Sequence, residues 1–320
     1  MQRTLPRALC AGDEVAVVAP AGAVRDDDSL ANGLARLRAW GLVPTVLPHA
    51  RGRLDWPAGS PLSAPDAERL ADLQHAIDTP RYRAVFCARG GYGITRLLAG
   101  LDCKPLRRDP KPIVGYSDVT TLLAAVRART GLVSLHGPMV ATGALMDAGA
   151  DGWELQRRLL TDTVGPVPLP PAPRARGLRA GIAEGPLVGG NLSLVQCLIG
   201  TPWQVDTRGA LLLLEDIGEA PYRIDRMLTH LLDTGALQHA AGVLLGDFHA
   251  IDTPPASEHA ATTAVLVERL AALPIPVAMG FPFGHCPGSW TLPIGARARL
   301  VAPAVGAPAS LELLEPAVCA

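Results

Sequence analysis

The length, composition and charge of the chain limit what it can be. At 320 residues it is long for a single core and suits two domains, or one large α/β domain. Apolar residues make up 48% of the sequence, which allows a large buried core. The net charge of -1 at pH 7 gives no electrostatic reason to expect nucleic acid or an anionic membrane as a partner. We therefore expect small ligands that are neutral or of mixed charge.

The amino-terminal residues and the cysteines indicate the compartment. Residues 1–22 carry two arginines but lack the continuous apolar run of a secretory signal. No stretch approaches the ~18 to 20 unbroken apolar residues of a membrane span, so we expect a soluble, cytoplasmic protein. The six cysteines are scattered and form no C-x-x-C pair. They predict neither a disulfide framework nor a structural zinc site.

The first half of the chain alternates between apolar strands and amphipathic helices. The Val-rich run DEVAVVAP is followed by leucines at helical spacing in SLANGLARLRAW, and LVPTVLP is followed by the helical pattern DAERLADLQHAI. Two more apolar strands lie in AVFCARGG and in KPIVGYSDVTTLLAAV, which continues into a helix. Such alternation predicts a parallel sheet covered on both faces. Binding sites in these sheets lie at the carboxyl ends of strands, where residues 89–93 and Ser117 fall.

A Pro-rich segment separates this half from a more mixed second half. GPVPLPPAPRARG, residues 165–177, predicts an extended linker. We therefore expect domains at residues 1–165 and 181–320, joined by a linker at 166–180. In the second half, NLSLVQCLI predicts a short helix capped by Asn191, ALLLLEDIG a buried strand ending in acid, and ARARLVAP and SLELLEP antiparallel strands. YRIDRMLTHLL predicts a helix with one apolar face, made of Ile224, Met227, Leu228, Leu231 and Leu232.

Ser117 lies at the corner between the apolar strand and the helix of KPIVGYSDVTTLLAAV. One interpretation is that its hydroxyl caps the helix by accepting a bond from an unpaired backbone N–H of the first turn. The other is that Ser117 is a nucleophile, because strand-turn-helix corners can present a serine at the top of an α/β sheet beside helix N–H groups that receive an oxyanion. The corner alone leaves both interpretations open.

Glu215 and His285 are candidate partners for such a serine. Glu215 ends the apolar run 211–214, so its carboxylate must either reach water or be paired. It is therefore a solvated strand terminus or an acid that orients a histidine. His285 lies in GFPFGHCPGSWTLPIGA, a Gly- and Pro-rich loop between two predicted strands. A histidine held in a rigid loop is a better candidate base than one on an exposed helix face.

CARGGYG, residues 87–93, is a strand end followed by clustered glycines. It is either a tight turn or a loop whose backbone N–H groups approach a ligand, as an oxyanion hole requires. It matches neither the G-x-x-x-x-G-K-[ST] phosphate loop nor the G-x-G-x-x-G spacing. Asp118, directly after the candidate nucleophile, would carry a second N–H group.

Metal and thiol chemistry have little support in the sequence. There is no H-E-x-x-H motif, and Asp247, His249, Asp252, Glu258 and His259 show no recognised ligand spacing. Cys286 follows His285, but adjacent residues rarely point at each other, so we interpret it as a packing residue. Arg89, Arg223 and Arg226 could bind substrate carboxylates, although Arg223 and Arg226 are explained equally well as the polar face of their helix.

Taken together, these segments resemble the LD-carboxypeptidases, a serine peptidase family that also includes the microcin C self-immunity peptidases. The resemblance rests on segments that occur in family order between about residues 15 and 300. They are VVAPAG, CARGGYGITRLL, IVGYSDVTTL, SLHGPM, GPLVGGNLSLV, LLLEDIGEAPYRIDRML, GVLLGDF and PFGHCPGSWTLPIGA.

The resemblance implies roles for individual residues. Ser117 would be the nucleophile, His285 the general base and Glu215 the acid that orients it, with an oxyanion hole from the backbone N–H groups of Asp118 and Gly91, Gly90 being the alternative glycine. No metal or organic cofactor is implied. The order Ser, Glu, His matches that of α/β-hydrolases, but there is no G-x-S-x-G elbow, so the triad would be a convergent one.

The resemblance also implies a fold, a substrate and an assembly. A flavodoxin-like amino-terminal domain would be followed by a carboxy-terminal domain of mixed strands and helices, and the protein would be a homodimer. Its reaction would remove the terminal D-alanine from cytoplasmic muropeptide tetrapeptides during peptidoglycan recycling. Two alternatives remain: an immunity peptidase that hydrolyses aminoacyl nucleotides, and a non-catalytic protein that binds muropeptides.

Overall fold

The computed structural model of the protein describes residues 3–57, 59–143, 147–248 and 256–320. Two β-sheets and the helices packed on them make up these residues. The elements of the first half are β1 Glu14–Val18, α1 Asp27–Ala39, β2 Val43–Val46, α2 Asp66–Asp78, β3 Tyr82–Cys87, α3 Pro105–Arg108, β4 Ile113–Val114, α4 Val119–Thr130, β5 Ser134–His136 and α5 Gly149–Thr161.

The second half contributes all seven strands of the second sheet. Its elements are β6 Arg176–Arg179, β7 Gly181–Asn191, α6 Leu192–Cys197, β8 Leu211–Glu215, α7 Pro221–Asp233, β9 Gly242–Leu245, α8 Ala256–Leu270, β10 Val277–Met279, β11 Leu292–Ile294, β12 Arg297–Ala302 and β13 Ser310–Leu313. Within the described ranges, no helix is both long enough and apolar enough to cross a bilayer.

The first sheet has the strand order β2-β1-β3-β4-β5-β11. Its first five strands are parallel, in the order 2-1-3-4-5 that flavodoxin-like sheets share. β11 comes from the far end of the chain and pairs antiparallel with β5, placing Leu292 opposite His136. The predicted parallel, helix-covered sheet is therefore confirmed, with one added edge strand.

The second sheet is mixed, with the order β6-β10-β9-β8-β7-β12-β13. β7, β8, β9 and β10 are parallel, whereas β6, β12 and β13 pair antiparallel with their neighbours. The α/β fold class with a more mixed second half is thus confirmed. The end of the Pro-rich segment does not stay extended outside the sheet, because residues 176–179 form its edge strand β6.

The local predictions for α6 and α7 follow from short-range chemistry. Asn191 Oδ1 accepts a hydrogen bond from the backbone N–H of Leu194, so Asn191 is the predicted cap of α6. On α7, Ile224, Leu228 and Leu231 are buried, and Met227 and Leu232 pack at the edge of the same cluster. Burial of this face fixes α7 against the second sheet.

The order of the strands positions three segments for the site. β4 of the first sheet leads into residues 115–118, and β8 of the second sheet ends at Glu215. The loop with His285 runs from β10 in the second sheet to β11 in the first. A hydrogen bond of 3.1 Å from the backbone N–H of Asn191 to Thr120 Oγ1 joins the end of β7 to the start of α4. Strand ends of both sheets therefore meet at the Ser117 corner.

Candidate active site

Ser117 occupies a strained corner between β4 and α4. Its φ of 63° lies in the left-handed region, which costs a residue with a Cβ on the order of 1 to 2 kcal/mol. Asp118, and not Ser117, occupies the N-cap position of α4. Within the described residues, no side chain forms a capping hydrogen bond to this helix. The neighbours Tyr116 and Asp118 are buried while Ser117 is partly exposed. The corner therefore presents the serine without using it as a cap.

The glycine loop lies directly against this serine. A Cβ added to Gly90 would come within 2.8 Å of Ser117 Cβ and 3.0 Å of Ser117 Oγ, so only glycine allows this approach. Gly91 has a φ of 113°, which side-chain-bearing residues rarely adopt. Within the described residues, the backbone N–H groups of Gly90, Gly91 and Asp118 donate to no protein acceptor. These groups are available to a ligand beside Ser117.

Asp118 ties the glycine loop to the serine corner. Its Oδ2 accepts a hydrogen bond of 2.8 Å from the backbone N–H of Ile94, the residue after the loop. Burial raises the pKa of Asp118 to about 6, against the hydrogen bond from Ile94 that favours the carboxylate. The side chain of Asp118 thus holds the relative position of two backbone segments.

Glu215 and His285 form a buried hydrogen-bonded pair. Nδ1 of His285 lies 2.7 Å from Oε2 of Glu215, and the two side chains are 10% and 0% exposed. Glu215 is therefore not a solvated strand terminus. Burial disfavours the charge on each group, but their mutual attraction and hydrogen bond outweigh it, so the pKa of His285 lies above its ordinary value and that of Glu215 below. With Nδ1 bonded to the carboxylate, Nε2 of His285 has no hydrogen-bond partner among the described residues.

Tyr116 connects this pair to the serine corner. Its ring packs on the ring of His285 with centroids 4.8 Å apart, and it immediately precedes Ser117 in the chain. Ser117 Oγ itself makes no hydrogen bond to His285 within the described part of the chain. Such bonds are often long in unliganded sites. The structure therefore brings Glu215 and His285 together, and places His285 against the neighbour of Ser117.

A second histidine, His136, was not singled out from the sequence. It ends β5 and is fully buried, with Nε2 3.9 Å from Oε1 of Glu215. Neither of its ring nitrogens has a hydrogen-bond partner within the described residues. Burial lowers the pKa of His136 and outweighs the charge of Glu215, which acts in the opposite direction. His136 could have been found from its place in SLHGPM, where it is the last residue of the short buried strand β5, because β4 and β5 are parallel and end at the same edge of the sheet.

Cys286 and the acidic residues near Asp247 were the sequence candidates for thiol and metal chemistry. Cys286 is buried, and its burial raises the pKa of the thiol to about 12. His249 and Asp252 lie outside the described residues, as does the side chain of Glu258. In the remainder of the chain, no group of three or more His, Cys, Asp or Glu side chains could hold a metal ion.

The three candidate carboxylate-binding arginines have different surroundings. Arg223 is paired with Glu219 at 2.8 Å on α7. Arg226 lies over the ring of Tyr222 at 5.5 Å. Arg89 belongs to the glycine loop and directly precedes Gly90, which lies against Ser117. Its guanidinium lies against Gly22, in the segment after β1.

The chain also resembles proteins of known name. Residues 15–137 match the family model of the LD-carboxypeptidase N-terminal domain, and residues 184–300 match that of the C-terminal domain. A Bacillus subtilis protein named "Probable murein peptide carboxypeptidase" is 39% identical over 300 residues, which cover 92% of this chain and 91% of that protein.

Solved structures agree with these matches. The crystal structure of a muramoyltetrapeptide carboxypeptidase from Oxalobacter formigenes has a TM-score of 0.76 and 31% identity, covering 94% of this chain and 99% of that chain. MccF in complex with glutamyl sulfamoyl guanosine has a TM-score of 0.85 but 22% identity, covering 98% and 99%, so it shows a shared fold alone. Because the two family models together match most of the sequence, the chain belongs to the LD-carboxypeptidase family of serine-type peptidases.

Proposed function

We propose that this protein removes the terminal D-alanine from muropeptide tetrapeptides, with Ser117 as nucleophile, His285 as general base and Glu215 as the acid that orients it. The observation that carries the proposal is the buried pair of Glu215 and His285, packed against the neighbour of a strained, partly exposed serine. The murein peptide carboxypeptidase names of similar proteins support the substrate.

The first chemical step follows from these positions. Nε2 of His285, left free by the bond of Nδ1 to Glu215, takes the proton of Ser117 as Oγ attacks the peptide carbonyl. The negative charge that develops on the carbonyl oxygen is received by the backbone N–H groups of Asp118 and Gly91, Gly90 being the alternative donor.

The reaction then divides into release and hydrolysis. His285 gives its proton to the leaving amine of D-alanine, and the shortened peptide stays attached to Ser117 as an ester. Water, deprotonated by His285, hydrolyses this ester and restores the serine. Glu215 stabilises the protonated imidazole in both halves of the cycle. Ser117, His285, water and the leaving amine account for every proton transfer.

The proposal also covers the cellular compartment, the location of the site between domains and the oligomeric state. We place the reaction in the cytoplasm, where it would serve peptidoglycan recycling, and we assign the site to the junction of domains at residues 1–165 and 181–320, with the linker at 166–180. The protein would act as a homodimer. Light scattering on the purified protein tests the assembly, since a monomer at micromolar concentration would contradict it.

The test of the activity is mass spectrometry of a muropeptide tetrapeptide incubated with the wild type and with Ser117→Ala. Loss of one alanine in the wild-type sample alone is the expected result. An active Ser117→Ala protein would remove the proposed nucleophile, and an inactive wild type would remove the proposed substrate.

A second candidate is the hydrolysis of an aminoacyl nucleotide, which the likeness in fold to MccF favours. The same wild-type protein is incubated with a glutamyl nucleotide, and release of free glutamate is measured. Glutamate release without alanine release would support this candidate. Binding of the tetrapeptide without turnover of either compound would support a non-catalytic binding protein.

A further inference from the structure

Arg89 is a partly buried cation without a carboxylate partner. It follows the last residues of β3, and its Nη1 donates a hydrogen bond of 2.7 Å to the carbonyl of Ala23. No carboxylate of the described residues lies within ion-pair distance of it. By contrast, the buried side chains of Arg69 and Lys111 are paired with Asp66 and Asp109. A guanidinium has five N–H donors, so most of those on Arg89 remain available.

A second cation stands near Arg89. Burial, and then the charge of Arg25, lower the pKa of Arg89. Of the three acids that follow Arg25, Asp26 caps α1 through Ser29 and Asp27 faces Arg51 at 3.4 Å. Neither arginine forms an ion pair with a carboxylate of the described ranges, and two like charges repel each other. An anionic ligand would relieve this repulsion.

The position of Arg89 relative to Ser117 limits which anion fits. Gly90, the next residue, lies against Ser117 Oγ, and the Arg89 guanidinium packs beside Gly22. In a peptide cleaved at its last bond, the terminal carboxyl carbon is three bonds from the carbonyl carbon under attack, a reach on the order of 4 Å. A group that binds this carboxylate must therefore adjoin the nucleophile.

We propose that Arg89 binds the free α-carboxylate of the amino acid that is released. The inference rests on the proposed carboxypeptidase activity and deepens it, because it explains why cleavage is confined to the last bond. A planar guanidinium can hold a carboxylate through two parallel hydrogen bonds. An amide or a further residue at that position would lack the charge and would leave the cation unpaired.

The experiment compares two substrates across matched variants. One is the tetrapeptide with a free terminal carboxylate, and the other is the same peptide ending in D-alanine amide. The rate constant kcat/KM is measured for the wild type, for Arg89→Gln and Arg89→Lys, and for the control Arg223→Gln, which removes an arginine already paired with Glu219. Thermal unfolding of each variant is recorded alongside.

The wild type and Arg223→Gln are expected to prefer the carboxylate about 10- to 100-fold, the usual effect of a charge-assisted hydrogen bond. Arg89→Gln is expected to lose that preference by slowing on the carboxylate peptide alone, and Arg89→Lys to keep part of it. An unchanged preference in Arg89→Gln, or an equal loss on both peptides, would overturn the role of Arg89. A wild type that cleaves neither peptide would instead overturn the proposed function, and this role with it.

Discussion

Glu215 holds His285 by one carboxylate oxygen, Oε2, while the other, Oε1, faces His136 at 3.9 Å. The carboxylate is fully buried between His285, whose pKa it raises, and His136, whose pKa is lowered by burial. The ring of Tyr116, next to Ser117, lies 4.8 Å from the ring of His285 and 6.0 Å from that of His136. Both histidines therefore lie beside the carboxylate of Glu215, but they differ in function.

Replacing the carboxylate tests this division directly. Glu215→Gln keeps the shape of the side chain but removes the charge that stabilises a protonated His285. We expect kcat for the tetrapeptide to fall about 10³- to 10⁴-fold, as in other triads that lose their acid. Glu184→Gln, which removes an exposed carboxylate paired with Arg299, is the control and should leave kcat unchanged. Comparable rates in Glu215→Gln and wild type would show that Glu215 does not orient the base.

The pH dependence of the reaction should report His285. A general base must be neutral, and the pKa of His285 is raised by Glu215 above the usual value of about 6.5. The rate constant kcat/KM should therefore decrease as the pH falls through this raised pKa. In Glu215→Gln the remaining activity should decrease at a lower pH, because burial alone lowers the pKa. The measurement is kcat/KM as a function of pH for both proteins. If their rates fell at the same acidic pH, Glu215 would not raise the pKa of the base.

Gly90 should be irreplaceable because of its contact with the serine. A Cβ at this position would lie 3.0 Å from Ser117 Oγ and 2.8 Å from its Cβ, so Gly90→Ala must displace the serine or the loop. Displacements of about 1 Å commonly cost on the order of 10²-fold in rate. Gly143→Ala is the matched control, since nothing lies within 4 Å of the Cβ it would add. We expect kcat to fall in the first variant and to be preserved in the second, whereas equal rates would disprove the contact.

Asp118 should make stability depend on pH. Its pKa of about 6 in the folded protein exceeds the unfolded value of 3.8, so the folded state binds the proton more tightly. The free energy of unfolding must therefore fall as the pH rises between these values, by up to about 3 kcal/mol from this group. Asp118→Asn keeps an oxygen for the N–H of Ile94 but has no charge to bury.

Urea unfolding at pH 4 and pH 7 measures the effect. The free energy of unfolding of Asp118→Asn, minus that of the wild type, should be larger at pH 7 than at pH 4. The variant Asp118→Ala, which loses the acceptor as well, should be less stable at pH 4 by roughly 1 to 3 kcal/mol. If the difference in the free energy of unfolding between Asp118→Asn and wild type did not vary with pH, the raised pKa of the buried Asp118 carboxylate would be contradicted.

Local sequence patterns predicted those parts of the fold that depend on contacts between residues close together in the chain. The apolar stripe of α7 and the cap at Asn191 are examples, since both depend on neighbours within one or two turns. The sequence did not reveal β7, residues 181–191, as a strand. Its four glycines and one proline weaken strand propensity, and the pairing of β7 with β8 and β12 compensates.

The site was predictable in part for the same reason. Ser117, Glu215 and residues 89–93 each follow an apolar strand, and strand ends are visible in a sequence. His136 and the contact of Tyr116 with His285 depend on the pairing of β5 with β11 and on the path of one loop between two sheets. Those are long-range contacts, which periodicity does not encode. The domain boundary at 166–180 stays a prediction.

The identity of the nucleophile can be measured without knowing the substrate. The wild type, Ser117→Ala and Glu215→Gln are treated with a fluorophosphonate, which labels activated serines, and the labelled peptide is located by mass spectrometry. We expect label on Ser117 in the wild type, none in Ser117→Ala, and slower labelling in Glu215→Gln because the base is no longer oriented. Label on another residue, or equal labelling of wild type and Ser117→Ala, would contradict the assignment of Ser117 as the nucleophile.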